Sequence, residues 1–117
     1  MTKKLIVFNW KMAPDSIEEA SRILKVIEKF YSPKFFLKTW EGGNLIVICP
    51  PFIYLEPLSK ILKAKDLKLK TKIQLGAQNI FCETKGAYTG EISAGMLVDL
   101  CQYVIIGHSE RRAMFGE

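Results

Sequence analysis

Four apolar runs, at residues 5–8, 45–49, 73–77 and 103–106, divide the chain. Most lack the polar alternation of a half-exposed strand. They predict strands buried on both faces, as in a parallel sheet covered by helices. Helical periodicity fills the intervals. Ser16-Ile17-Glu18-Glu19 is a capping box, and Ala20, Ile23, Leu24, Ile27, Phe30 and Tyr31 follow at helical spacing. Leu55, Leu58, Ile61 and Leu62 make a second stripe, with Pro57 expected in that helix's first turn, where its missing N–H costs nothing. Ser93 reads as the cap of a short third helix that turns Met96, Leu97 and Leu100 inward. The turn at 41–44 reads as the approach to the second strand, and no repeat, low-complexity segment or linker interrupts the pattern. The order β-α-β-α-β-α-β is a series of βαβ units with right-handed crossovers. An open doubly wound sheet and part of a (β/α)8 barrel both fit it.

Composition narrows the class. Of 117 residues, 49% are hydrophobic and 25% charged, which is a globular balance. No apolar run approaches the ~20 residues that span a bilayer. The N-terminal apolar run is short and is interrupted by Lys11, unlike a signal peptide, so the chain is expected to be cytoplasmic. Cys49, Cys82 and Cys101 are odd in number and lack C-x-x-C spacing, and only one histidine accompanies them. A disulfide framework and a closed zinc site are therefore disfavoured, and buried reduced thiols are expected. The net charge of +5 owes much to Lys60, Lys63, Lys65, Lys68, Lys70 and Lys72. This stretch has no aromatics for base stacking, so it reads as a solvated helix face and turn, not a nucleic-acid surface.

In parallel α/β folds, ligands bind beyond the carboxyl ends of the strands. Asn9-Trp10-Lys11 follows the first run and Pro50-Pro51-Phe52 the second. Gln78-Asn79 follows the third and opens a loop containing Gly86-Ala87-Tyr88-Thr89-Gly90-Glu91. Gly107-His108-Ser109-Glu110-Arg111-Arg112 follows the fourth. Lys11 and His108 converge if both strands line one face. A lysine offers positive charge to a phosphate or a developing oxyanion. An imidazole at a helix start can stay neutral, since the helix dipole disfavours imidazolium, and can donate to a carbonyl oxygen. The alternative for His108 is a core histidine satisfied by backbone. Arg111 and Arg112 equally suit surface charges pairing with Glu91 or Glu110, contacts worth about 0–1 kcal/mol. No P-loop or G-x-G-x-x-G pattern is present.

Asn9-Trp10-Lys11-Met12, Gly76-Ala77-Gln78-Asn79, the Gly86 to Glu91 loop and the Tyr103 to Arg112 segment resemble, in this order and spacing, the triosephosphate isomerase family. The likeness runs from Lys4 to Glu117; one departure is Asp99-Leu100-Cys101, where many relatives carry a glycine between helix and strand. The resemblance implies a (β/α)8 barrel, normally of about 250 residues. It implies interconversion of dihydroxyacetone phosphate and glyceraldehyde 3-phosphate in glycolysis and gluconeogenesis, without metal or organic cofactor. It implies a triose phosphate substrate and a homodimer; from composition, no nucleic-acid or membrane partner is expected. His108 and Lys11 would be catalytic, and Asn9 and Lys11 would bind substrate. Glu110 would pair with Lys11 behind the site, with Arg112 supporting that turn. Thr89, Glu91 and Arg111 would lie at the dimer interface. The family's catalytic base is a glutamate after the sixth strand, followed by a closing lid, and its phosphate-gripping backbone comes later still. Residues 1–117 are therefore expected to form the first half of such a barrel. That half is four parallel strands with intervening helices, an incomplete single domain inactive alone. A half-barrel serving as a non-catalytic binding or assembly module, and one chain of a split isomerase, are the competing readings.

Overall fold

The structure, a computed structural model, describes residues 4–31, 45–65 and 73–117. The expected turn at 41–44 and Lys68, Lys70 and Lys72 lie outside the described residues. Strands and helices alternate: β1 (Leu5–Asn9), α1 (Ile17–Phe30), β2 (Leu45–Cys49), α2 (Phe52–Lys65), β3 (Ile73–Ala77), α3 (Ala94–Leu97), β4 (Tyr103–Val104) and α4 (Ser109–Phe115). All pairings are parallel, and the strands lie in the order β1-β2-β3-β4. A doubly wound sheet reverses direction at a switch point. Here each strand is added on the same side of its predecessor, as in a (β/α)8 barrel. The sheet is thus a curled half-barrel of four parallel strands with helices between them.

Register divides the strand residues between two faces. Val7 lies opposite Val47, Ile46 opposite Ile73 and Gly76 opposite Tyr103. Leu5, Val7 and Asn9 therefore share the concave face with Val47, Cys49, Gln74, Gly76 and Tyr103. Ile46, Ile48, Leu75 and Ala77 face the helices, where they join Ala20, Leu24, Tyr54, Leu55, Leu58, Leu97 and Cys101 in the core. Gly76 leaves room on that face for Cys49: a Cβ there would stand 2.6 Å from Cys49 Sγ.

Burial on both faces holds for β2, whose last four residues are all buried, but not at the sheet's edges. Leu5 and Val7 of β1 are about half exposed. Strand β4 covers only Tyr103–Val104, is exposed along both residues, and leaves Ile106 outside it. An edge strand has one neighbour, so its apolar side chains lack the flank that buries those of β2.

Helix α1 begins at the serine its sequence indicates, with the Ser16 half of the capping box formed. Ser16 is extended, and its hydroxyl accepts the Glu19 N–H at 3.2 Å. Ala20, Leu24, Ile27 and Tyr31 face the core, whereas Phe30, one position off that line, is half exposed. Helix α2 starts at Phe52, so Pro57 sits in its interior instead of its first turn. The ring forfeits the bond to the Ile53 carbonyl, at a residue that is open to water. Leu55 and Leu58 are buried as the stripe requires, and Tyr54 is buried with them, donating its hydroxyl to the Pro14 carbonyl at 2.8 Å. In α3, Leu97 is buried and Leu100 packs against the core, but Met96 is exposed. Ser93 occupies the N-cap position without a side-chain capping bond. Neighbours in a helix of 3.6 residues per turn point in different directions, so the face that buries Leu97 and carries Leu100 three residues on leaves Met96 outside. Glu28 and Lys65 tie the ends of α1 and α2 together at 2.7 Å.

Cys49 and Cys101 are buried free thiols; Cys82, on the loop after β3, is free and exposed, contrary to the expectation that all three are buried. Burial pushes the Cys49 thiol up to about 11, with Cys101 adding to the effect. Among the described residues no helix is long and apolar enough to cross a membrane.

Candidate active site

The end of β1 turns sharply. Lys11 adopts a positive φ of 55°, alone among the described non-glycine residues. That conformation costs a non-glycine residue about 1–3 kcal/mol and persists only where the surroundings impose it. Two side chains do so. The Lys11 N–H donates to Asn9 Oδ1 at 2.9 Å, and the Lys11 carbonyl accepts from Gln78 Nε2 at 2.8 Å. The same Gln78 nitrogen donates to the Cys49 carbonyl, also at 2.8 Å. Cys49 in turn accepts the Trp10 N–H at 3.0 Å. The ends of β1, β2 and β3 are thereby sewn together at one point.

The end of β4 turns through Gly107, whose φ of 62° suits a residue without Cβ, into α4. His108 is the N-cap of α4. Its Nδ1 accepts the Glu110 N–H at 3.2 Å, so that nitrogen carries no proton. The neutral ring then holds its proton on Nε2, its remaining donor. A Glu110 carboxylate oxygen lies 3.7 Å from Nδ1. That is beyond hydrogen-bond reach, so the backbone bond fixes the tautomer. The other Glu110 oxygen meets Lys11 Nζ at 2.5 Å. This bond holds the Glu110 carboxyl below the usual carboxylate range.

Glu110 therefore stands between Lys11, from β1, and His108, from β4. Asn9, Lys11, His108 and Glu110 form one cluster at the carboxyl ends of the strands. The arrangement offers an exposed ammonium beside a neutral imidazole donor, a pair suited to an anionic substrate bearing a carbonyl. Arg112 contributes backbone to the same turn: its N–H bonds the His108 carbonyl at 3.0 Å, and its side chain flanks Gly107.

Thr89, Glu91 and Arg111 lie apart from that cluster. Thr89 is at the exposed tip of the loop between β3 and α3. This loop packs on itself: Phe81 and Tyr88 rings stand 4.6 Å apart, the Phe81 N–H bonds the Ile92 carbonyl, and the Glu91 N–H bonds the Tyr88 carbonyl. Arg111 pairs with neither Glu91 nor Glu110 as its hydrogen-bond partner. It makes two bonds to Glu117, at 2.5 and 2.8 Å, and its guanidinium lies over the Phe115 ring. Arg111 first, with Asn79 adding, holds the Glu117 carboxyl below its usual range. Among the described residues no three His, Cys, Asp or Glu side chains gather to hold a metal.

Gln78 received no role from the sequence, although it directly follows the β3 run at the carboxyl end. Position was the available signal. Its two carbonyl partners are 67 and 29 residues away and only the fold brings them close.

Comparison with known proteins gives one family. The model of the family described as triosephosphate isomerase matches residues 4–117. Proteins named triosephosphate isomerase are similar along the whole chain. One from Dehalococcoides mccartyi strain CBDB1 is 50% identical over 117 residues, one from Dictyoglomus thermophilum 51% over 118, and one from Shewanella frigidimarina 41% over 119. All of this chain is covered in each, against 41% or 42% of the relative. The chain spans about two-fifths of the length of the curated relatives it matches.

Proposed function

Because the chain belongs to the triosephosphate isomerase family, we propose that it forms part of a cytoplasmic, homodimeric enzyme interconverting dihydroxyacetone phosphate and glyceraldehyde 3-phosphate in glycolysis and gluconeogenesis. The observation that carries this reading is the Lys11–Glu110–His108 cluster, joining the ends of the first and last described strands. Substrate enters with its carbonyl oxygen toward His108 and its charge toward Lys11. The Nε2–H donates to that oxygen and strengthens its bond as a proton leaves the adjacent carbon and negative charge gathers in the enediolate. Lys11 opposes the same charge, and Asn9, whose Oδ1 holds the Lys11 N–H, helps orient the substrate. Glu110 is engaged by Lys11 and Glu117 by Arg111, so neither serves as the base. That step falls to the glutamate that the family carries after its sixth strand.

The test is a chimera in which this chain replaces the matching part of the Dehalococcoides mccartyi relative. It should isomerise triose phosphate in both directions. A folded chimera without turnover, beside an active parent, overturns the reading.

Thr89, Glu91 and Arg111 belong, on this reading, to the contact between subunits. Support comes from the loop itself, which is exposed around Thr89 yet internally braced by Phe81 and Tyr88. Deleting residues 83–88 from the chimera should yield monomers in sedimentation. Dimers with full activity would remove the loop from the interface.

A further inference from the structure

We propose that Gln78 is a positioning residue for the reaction: its amide holds the Lys11 backbone in the left-handed conformation that places the ammonium for substrate. The inference rests on the reading of Lys11 as the group that meets substrate charge. Asn9 cannot supply this placement alone. It lies two residues from Lys11 on the same turn, so it shapes that turn without anchoring it. Gln78 comes from β3 and is bonded at the same time to the end of β2, so it ties the turn to the sheet. Its orientation follows from chemistry. Both partners are carbonyl oxygens, which only accept, so the NH₂ group and not the amide oxygen must face them. Glu110, in the first turn of α4, provides the last restraint by holding the ammonium. Backbone clamp and side-chain partner together define where Lys11 Nζ stands.

Satisfying buried polar groups does not explain the contact. Lys11 is exposed, and water can reach its carbonyl in place of the amide. What water cannot do is keep a lysine at φ 55° in fixed relation to β2 and β3. Without the amide, Lys11 should relax to negative φ and its ammonium should swing from the cluster.

The experiment uses the chimera, its Gln78→Met and Lys11→Met variants, and the double variant. Methionine matches glutamine in length and lacks the donor. Gln78→Met should lower kcat/KM about 10- to 100-fold, the scale of a displaced positioning group, with KM rising for triose phosphate. In the Lys11→Met background the same change should alter kcat/KM by less than about threefold, because its effect passes through Lys11. A crystal structure of the Gln78→Met chimera should show Lys11 at negative φ. An equal loss in both backgrounds, or Lys11 still in the left-handed region, overturns the proposal. Gln78→Glu keeps the side chain's shape while turning an acceptor on both carbonyls, and serves if the methionine variant does not fold. Absence of turnover in the unsubstituted chimera would sink the functional reading alone. The Lys11 conformation in the two crystal structures would still judge Gln78.

Discussion

His108→Gln in the chimera lowers kcat by about 10²–10³-fold, the loss typical when one donor to a developing oxyanion is removed, while KM changes much less. The separation follows from where the charge appears. A carbonyl oxygen in the bound substrate accepts a weak hydrogen bond, whereas an enediolate oxygen demands a strong one. A glutamine side chain can still cap α4, since its oxygen can accept the Glu110 N–H that His108 Nδ1 now accepts. Its amide N–H is a poorer proton donor than an imidazole N–H. Stability is therefore largely retained while the electrophile is lost. Thermal unfolding beside steady-state kinetics checks both halves. Wild-type turnover in a folded variant would take His108 out of the mechanism.

Lys11→Met should impair binding and turnover together, because a fixed positive charge faces an anionic substrate at every stage. A hydrogen bond to a charged group is worth about 1.5–3 kcal/mol, so KM and the Kd of a phosphate inhibitor should each rise about 10- to 100-fold. Turnover should fall as well, since the same ammonium opposes enediolate charge. A second readout is independent of catalysis. Lys11 is the first cause of Glu110's depressed pKa, so in the variant that carboxyl should titrate closer to its ordinary range. The sign follows from linkage. A carboxyl whose folded pKa is depressed contributes stability above its unfolded pKa, and that stability is lost as pH falls through the folded value. The variant should lack this contribution, so its stability should differ most from wild type at neutral pH and least below the depressed Glu110 value. Carbon-detected NMR titration of Glu110 and urea unfolding across that range measure it. Unchanged activity, inhibitor affinity and Glu110 titration would make Lys11 a bystander.

Periodicity reports whether a residue is buried, and it did so well wherever burial is local. The Ser16 cap, the Ala20–Leu24–Ile27 face and the Leu55–Leu58 stripe were legible because each depends on neighbours within one or two helical turns. It misread Met96 and Phe30, where apolar character was mistaken for burial, and Pro57, where a proline was mistaken for a helix start. It misread the edges too. Strands β1 and β4 carry the same kind of apolar run as β2, yet a residue's second flank depends on which strand lies beside it.

Local order and the chemistry at strand ends are written in the chain: the alternation of strand and helix, and Asn9, Lys11, His108 and Glu110 placed just after strands. Each follows from short-range patterns and from the rule that parallel sheets gather function at their carboxyl ends. Implied only by the family resemblance, the β1-β2-β3-β4 neighbour order was not readable from periodicity, which a barrel and a doubly wound sheet share. Nor were the pairing of Arg111 with Glu117, the proton position on His108 and the grip of Gln78 on Lys11. Those rest on hydrogen bonds, which form only within a range of a few tenths of an ångström, some between groups tens of residues apart. Spacing along a chain does not encode such distances; they exist once the strands have taken their neighbours.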